Sequence, residues 1–118
     1  MFAANKKLNN LTVFVDYNNL QIDGNLEQVN SPLPFDKKFE AFNWNVITID
    51  GHDFDQIEAA VLAAEKCTDK PTAIICKTVK GKGVSYMEDK IEWHGSAPNE
   101  ELTAVALAEL DAQLAELN

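Results

Sequence analysis

Three short apolar runs along the chain predict β-strands. They cover Leu11–Asp16, Asn45–Asp50 and Thr72–Val79, and each is rich in β-branched residues. None of them alternates between apolar and polar positions, which is typical of strands covered on both faces in a parallel sheet. We therefore expect all three strands to be buried on both faces.

Helical periodicity fills the gaps between these strands. One apolar face follows the prolines Pro32 and Pro34, and a second follows Asp53, where Gln56 completes the sequence pattern of a capping box. The apolar positions are Phe35, Phe39 and Phe42 in the first helix and Phe54, Ile57, Val61 and Ala64 in the second. Helices are therefore expected on either side of the middle strand in the sequence.

Both ends of the chain are also predicted to be helical. Pro98–Glu101 combines a cap with acidic residues that favour a helix start. The apolar side of that helix is Leu102, Ala106, Leu110, Leu114 and Leu117. Residues 1–8 are typical of the last two turns of a helix that has no start signal. Because three parallel strands also leave unpaired sheet edges, we expect the chain to be a fragment or a subunit.

The order of these elements predicts an α/β fold, in which a parallel sheet with flanking helices forms three layers. The 118 residues suffice for one domain, and 46% hydrophobic with 25% charged residues is typical of a soluble globular protein. No apolar run is long enough to cross a membrane. Cys67 and Cys76 form neither a disulfide framework nor a CxxC pair, so we expect reduced thiols in a cytoplasmic protein.

The charge balance is strongly acidic, with one local exception. Nineteen acidic residues against ten lysines give a formal charge of −9, which argues against nucleic acid as a partner. Lys77–Gly83 (KTVKGKG) forms a positive island in which glycines let the backbone approach an anion and lysines supply charge. It lacks the Gly-Lys-Ser/Thr ending of a P-loop, so a solvated flexible turn is the alternative interpretation.

A second group of polar residues follows the first strand. Val15–Gly24 (VDYNNLQIDG) presents carboxylate and amide oxygens at the carboxyl end of that strand, where ligands bind in open α/β sheets. Such oxygens suit Mg²⁺, which shares its coordination shell with substrate phosphates. If the strands are parallel, Gly51–Asp53 and the segments Val79–Gly83 and Trp93–Gly95 lie at the same edge. The sequence therefore predicts a phosphate-bearing ligand held through a metal.

Taken together, these motifs resemble the thiamine-diphosphate-binding domain of transketolase, with residues 1–118 matching the C-terminal part of that domain. The resemblance rests on NLTVFVDYNNLQIDG (10–24), FNWNVI (42–47), DGHD (50–53), KTVKGKG (77–83) and EWHG (92–95), in the family's order. It implies transfer of a two-carbon ketol unit from a ketose phosphate to an aldose phosphate in the pentose phosphate pathway. It also implies thiamine diphosphate and Mg²⁺ as cofactors and an oligomeric enzyme.

The resemblance assigns roles to four residues. Asn18 matches the asparagine whose side-chain oxygen binds Mg²⁺, and Leu20 matches the residue whose backbone carbonyl binds the same ion. Lys80 matches a lysine near the cofactor diphosphate. His94 matches a catalytic histidine near the diphosphate and the reacting end of the substrate. A histidine suits this position because it donates hydrogen bonds and moves protons near neutral pH.

The chain also departs from the family pattern. The family's Gly-Asp-Gly, whose aspartate binds the metal, does not occur among the 17 residues before Asn18. Its catalytic glutamate belongs to another domain. We therefore expect the chain alone to be inactive and to bind the cofactor weakly or not at all. Its expected partners are the upstream half-domain and a pyrimidine-binding domain or subunit. The alternatives are a non-catalytic remnant or assembly module, and a fragment of a related enzyme such as 1-deoxyxylulose-phosphate synthase.

Five other polar positions have simpler explanations than catalysis. Asp16 is expected to hydrogen-bond locally at the strand end, and Asp23-Gly24 to form a turn. His52 lies beside a helix start and is expected to support the local structure. Lys77 and Lys82 are weaker candidates for anion binding than Lys80, and a solvated side chain is the alternative interpretation of each.

Overall fold

A computed structural model of the chain describes residues 1–117. These residues divide into two compact units. Residues Met1–Tyr17 and Ser31–Thr78 form the sheet unit, and residues 18–30 and 79–117 form the loop unit. In chain order the elements are α1 (Phe2–Asn5), β1 (Thr12–Tyr17), β2 (Leu20–Gln21), β3 (Gly24–Asn25), α2 (Leu26–Val29), α3 (Phe35–Ala41), β4 (Asn45–Asp50), α4 (Phe54–Lys66), β5 (Thr72–Lys77), a 3₁₀ turn (Ile91–Trp93) and α5 (Glu100–Glu116).

The sheet unit is built on a three-stranded parallel sheet. Its spatial order is β1-β5-β4, so the strand that comes last in the sequence lies in the centre. In the register of the sheet, Tyr17, Lys77 and Asp50 lie side by side at the ends of their strands. The predicted parallel sheet is therefore confirmed, and the chain leaves the three strands at a common carboxyl edge.

Helices cover both faces of this sheet. On one face, α4 packs on β4 and β5 through a core formed by Ile49, Ala60, Ile74 and Cys76. On the other face, the Phe35 ring of α3 meets the Tyr17 ring edge-on, with 5.4 Å between centroids. Side chains alternate between the two faces of a sheet along each strand. Lys77 is the register partner of Tyr17 and lies three positions after Ile74 on β5, so Lys77 and Ile74 point to opposite faces. The predicted three layers are thus present.

The expectation that every strand is buried on both faces is wrong for both outer strands, β1 and β4. The residues of β1 alternate between exposed and half-buried, and Phe14 is 53% exposed. In β4, Thr48 and Asp50 are exposed and only Ile49 is buried. For β1 the reason is position, because it is an edge strand and the core under α4 draws its strand residues from β4 and β5. Only the central strand β5 has the expected pattern, with every residue from Thr72 to Cys76 buried.

Several predicted element boundaries differ from the structure. The strand β4 matches its prediction, β1 lies one residue later, and β5 ends at Lys77 instead of Val79. The N-terminal helix is a single turn, Phe2–Asn5, instead of two. Phe54 does not belong to the packed face of α4, since its side chain is 86% exposed at the first residue of the helix.

Side-chain caps fix the starts of the two long helices. The Oδ1 atom of Asp53 accepts a hydrogen bond from the backbone N–H of Gln56 at 3.1 Å, which confirms the predicted start of α4. The Gln56 side chain does not complete the capping box in the usual way, because its Oε1 atom accepts from the N–H of Asp50 at 3.0 Å. At α5, Asn99 accepts from the N–H of Leu102 at 2.9 Å.

The apolar side predicted for α5 is only partly covered. Ala106 is buried, whereas Leu114 and Leu117 are 59% and 83% exposed.

Both cysteines are free, and burial together with the charge of Asp16 raises the pKa of Cys76. Along residues 1–117, the helices are too short or too polar to span a lipid bilayer.

Candidate functional site

The predicted metal-binding segment forms a small, locally fixed hairpin. Asn18 follows β1 directly, and its Oδ1 atom accepts a hydrogen bond from the backbone N–H of Leu20 at 3.0 Å. Asn19 between them adopts a left-handed backbone with φ of 61°, and its carbonyl accepts from the N–H of Leu26 at 3.0 Å. The Asn18 side chain therefore has a defined orientation. Because an amide oxygen has two lone pairs, it keeps one for a cation.

Leu20 lies in β2, which pairs with β3 in an antiparallel ribbon. The turn between these strands is Ile22-Asp23, so the prediction of a turn at Asp23-Gly24 is displaced by one residue. Gly24 opens β3 with φ of 148°, a backbone region that residues with a side chain rarely adopt. The glycine is therefore required by the ribbon and is not evidence of a ligand.

The lysine- and glycine-rich segment is held by internal contacts. The Lys82 ammonium lies 3.6 Å from a carboxylate oxygen of Glu88, and the same oxygen accepts the N–H of Gly83 at 2.9 Å. Gly81 has φ of 73°, and a Cβ added there would lie 2.6 Å from the carbonyl oxygen of Met87. The segment is thus a folded turn in which one glycine N–H already has an acceptor. Lys82 therefore has an ion-pair partner in Glu88, although its side chain is 54% exposed.

In the loop unit, the side chains of Lys80 and His94 contact each other. Fourteen residues apart in sequence, they place Nζ of the lysine 3.4 Å from Nδ1 of the imidazole. Lys80 is half-buried and His94 is exposed. Because an ammonium can only donate, a hydrogen bond across this contact requires the tautomer in which Nδ1 accepts and Nε2 carries the ring hydrogen. The pair can therefore offer an ammonium and an imidazole N–H to one anionic ligand.

Two aromatic side chains hold the turn that carries His94. The Nε1–H of Trp93 donates to the carbonyl of Tyr86 at 2.9 Å, and the Tyr86 hydroxyl donates to the carbonyl of Leu102 at 2.9 Å. The two rings meet edge-on, with 5.1 Å between centroids. Because Leu102 lies in the first turn of α5, this aromatic brace (Tyr86 and Trp93) joins the histidine turn to a long helix.

A second set of contacts joins the glycine-rich turn to α5. Ser85 donates from its backbone N–H at 2.7 Å and from its hydroxyl at 2.5 Å to the carboxylate of Glu109. The Gln113 amide donates to the carbonyl of Gly83 at 2.8 Å. The hydrogen bonds from Ser85 stabilise the ionised carboxylate and lower the pKa of Glu109.

The remaining polar candidates occupy structural positions in the sheet unit. The Thr78 hydroxyl donates to the carboxylate of Asp16, and the backbone N–H of His52 donates to Oδ1 of Asp50 at 2.9 Å. Asp16 thus bonds to a residue 62 positions away at the end of the neighbouring strand, and not within its own loop as expected. The supporting role expected for His52 stays a prediction. Lys77 is exposed and lines a cavity on the α3 side of the sheet.

All four residues predicted to bind the cofactor or metal lie in the loop unit, but only two of them share a described contact between side chains. Asn18 and Leu20 form the hairpin, whereas Lys80 and His94 meet each other. Convergence of all four on one pocket stays a prediction. Within residues 1–117, no three histidine, cysteine, aspartate or glutamate side chains are grouped so that they could hold a metal.

The residues that support the site were not predicted from the sequence. Tyr86 and Trp93 carry a weak signal, since two aromatic residues flank a segment without helical or strand periodicity and one of them precedes His94. Glu88 carries none, because a glutamate six residues beyond Lys82 has no special meaning until the turn is folded.

The parallel sheet with helices on both faces defines the chain as an α/β protein of the open-sheet class. A family model described as "Transketolase, thiamine diphosphate binding domain" matches residues 1–113. The chain therefore belongs to the transketolase thiamine-diphosphate-binding domain family.

Known relatives agree with this assignment. The chain is 42% identical to the 6-deoxy-6-sulfo-D-fructose transketolase subunit SqwG of Clostridium sp. MSTE9, over 96% of this chain and 41% of that protein. It is 35% identical to an apulose-4-phosphate transketolase subunit of Phocaeicola vulgatus, over 94% of this chain and 40% of that protein. Transketolase 2 of Escherichia coli is 41% identical over 92% of this chain, which spans only 16% of that enzyme.

Solved structures show the same fold. The crystal structure of transketolase from Campylobacter jejuni matches with a TM-score of 0.84 and 33% identity, over 92% of this chain and 17% of that one. The chain thus spans less than half the length of these curated relatives and less than a fifth of this solved enzyme.

Proposed function

We propose that residues 1–118 are the C-terminal part of a transketolase-type thiamine-diphosphate-binding domain. The enzyme containing it would transfer a two-carbon ketol unit from a ketose phosphate to an aldose phosphate with Mg²⁺-thiamine diphosphate. The observation that carries this proposal is the 3.4 Å contact between Lys80 and His94, which places two expected ligands of one diphosphate side by side. Membership of the family supplies the cofactor class.

The donor chemistry of the chain fits a magnesium diphosphate in part. The amide oxygen of Asn18 and the carbonyl of Leu20 are the hard oxygen donors that Mg²⁺ prefers. They fill two of the roughly six positions around that ion, so diphosphate oxygens, water and further protein groups must supply the rest. We therefore expect the isolated chain to bind the magnesium cofactor weakly.

The proposed roles follow from the chemistry of each side chain. When bound, thiamine diphosphate supplies the reactive carbon and the electron sink of the ketol transfer. Asn18 and Leu20 hold the ion, and Lys80 balances the diphosphate charge. Lys80 also keeps Nδ1 of His94 as an acceptor, so the imidazole donates through Nε2–H to an oxygen of the diphosphate or the substrate.

Activity would require partners. Two relatives are named as transketolase subunits, and each is longer than the segment that this chain matches. We propose that this chain likewise works in an oligomer, together with the upstream half-domain and a pyrimidine-binding domain or subunit. Alone it would be inactive. The two free cysteines fit a reducing compartment, and we place the assembly in the cytoplasm.

Titration of the labelled chain with thiamine diphosphate and Mg²⁺, followed by NMR of backbone amides, tests this proposal. We expect shifts at Asn18, Leu20 and His94, with affinity reduced about tenfold in Asn18→Ala and Lys80→Met. Lys66→Met is the control for lost charge, because Lys66 is exposed at the end of α4. If wild type shows no shifts up to about 10 mM cofactor, the chain does not bind it.

A silent titration would favour the second candidate function, an assembly module that lost its cofactor site. Exposed apolar side chains support this candidate, namely Phe14 on the edge strand β1 and the last leucines of α5. Phe14→Ser would then reduce self-association in sedimentation velocity. The catalytic proposal alone predicts cofactor shifts that disappear in Asn18→Ala.

A further inference from the structure

A cavity of about 340 Å³ lies in the sheet unit, and none of the residues assigned above to the cofactor or metal lines it. Tyr17 and Lys77, the last residues of β1 and β5, line it together with Ile75 from the sheet face. The other lining residues are Thr48 of β4 and the run Leu33, Pro34, Phe35 and Asp36. Its volume is in the range of small-molecule pockets, and the carboxyl end of parallel strands is where α/β sheets bind ligands.

Lys77 is the uncompensated cation of this cavity. None of the ion pairs among residues 1–117 involves it. Its neighbour in the register is Asp50, whose Oδ1 atom accepts the N–H of His52 at 2.9 Å. The Asp36 carboxylate lies 3.9 Å from the Lys37 ammonium. An anionic group in the cavity would therefore find a free ammonium, with the Tyr17 phenol beside it in the register.

Half of the residues that line the cavity are apolar, namely Leu33, Pro34, Phe35 and Ile75. Phe35 is held by its edge-on contact with Tyr17, and Ile75 is buried in the central strand. A ligand that satisfies both parts of the cavity carries one anionic group and a compact apolar body.

We propose that this cavity binds a small monocarboxylate with an aromatic or aliphatic body. A phosphate dianion is disfavoured, because Asp36 lines the same cavity as Lys77 and the chain carries a formal charge of −9. The cavity shares no lining residue with the proposed cofactor site, which consists of Asn18, Leu20, Lys80 and His94.

Three probes of similar size test the chemistry of the cavity. Benzoate, neutral benzyl alcohol and dianionic phenyl phosphate are titrated into the labelled chain, and amide shifts at Tyr17, Phe35 and Lys77 are followed. We expect benzoate to bind with a dissociation constant of about 1 mM, a typical strength for a ligand of this size. The other two probes should bind at least about tenfold more weakly.

Two substitutions at one position test the role of the ammonium. Lys77→Met and Lys77→Gln should each weaken benzoate binding about tenfold, whereas the exposed-lysine control Lys66→Met should not. Each Lys77 variant counts as folded if its backbone amide shifts away from the strand end match those of the wild type. Asn18→Ala should leave benzoate binding intact, so failure of the cofactor proposal would not affect this one.

Three results would overturn the proposal. The first is equal binding of benzoate and benzyl alcohol, which would mean that the charge is not recognised. The second is unchanged benzoate affinity in both Lys77 variants. The third is an absence of shifts around the cavity up to about 10 mM benzoate, which would show that the cavity is not a binding site.

Discussion

Removing the indole N–H of Trp93 tests whether the aromatic brace positions His94. Trp93→Phe keeps an aromatic ring against Tyr86 but removes the 2.9 Å hydrogen bond to the Tyr86 carbonyl. A hydrogen bond of this type contributes about 1 kcal/mol net, and the smaller ring adds a further loss of packing. Because the brace joins the 3₁₀ turn to α5, the loss should appear first as local opening around His94.

Amide hydrogen exchange measures this opening residue by residue. A loss of about 1 kcal/mol raises the population of the open form roughly fivefold, so protected amides of the turn at 91–95 should exchange about fivefold faster in Trp93→Phe. Global stability, followed by urea unfolding, should fall by about 1–2 kcal/mol at most.

The second tryptophan supplies a matched control. Trp44 meets Phe39 edge-on in the sheet unit, with 5.2 Å between ring centroids. Trp44→Phe should therefore leave exchange at 91–95 unchanged. The brace would be refuted if Trp93→Phe left exchange in the turn unchanged, or if both variants accelerated it equally.

Two further predictions concern the close packing at the sheet edge and the hydrogen bonds that join Ser85 to α5. A Cβ at Gly51 would lie 2.5 Å from Cγ2 of Thr78, so Gly51→Ala should lower the free energy of unfolding in urea by about 1–3 kcal/mol. Gly95→Ala is the control, because a Cβ there would meet no atom within 4 Å. Its free energy of unfolding should stay within about 0.5 kcal/mol of the wild-type value. Because the hydrogen bonds from Ser85 lower the pKa of Glu109, this carboxylate stabilises the folded chain above its ordinary pKa of 4.5, and the contribution is lost as the pH falls below that value. The melting temperature of wild type should therefore decline more steeply below about pH 4.5 than that of Glu109→Gln, and parallel curves would contradict this role.

The elements that the sequence predicted well are those defined by local patterns. The strand Asn45–Asp50 is a β-branched run ending at an Asp-Gly turn, and the start of α4 is marked by Asp53 with Gln56 three residues later. Both signals lie within a few residues and act through short-range hydrogen bonds and burial. They needed no knowledge of the rest of the fold.

Other features depended on contacts that a linear pattern does not reveal. Phe14 lies in a continuous apolar run, and only the spatial order of the strands shows that β1 is an edge with an exposed phenylalanine. In the glycine-rich turn, Glu88 forms an ion pair with Lys82 and accepts the N–H of Gly83. The number of lysines and glycines in the segment does not predict these contacts. The candidate site residues were predicted from the resemblance of motifs to a family. The contact between Lys80 and His94 was not predicted, because it forms only when the chain folds.

The central position of β5 constrains the order in which the chain acquires structure. The two outer strands, β1 and β4, do not pair with each other, and both find their partner in residues 72–77. During synthesis, β1 and β4 therefore lack their common partner until residues 72–77 have left the ribosome. Formation of this three-stranded arrangement must await β5, which is the last of the three strands to be made.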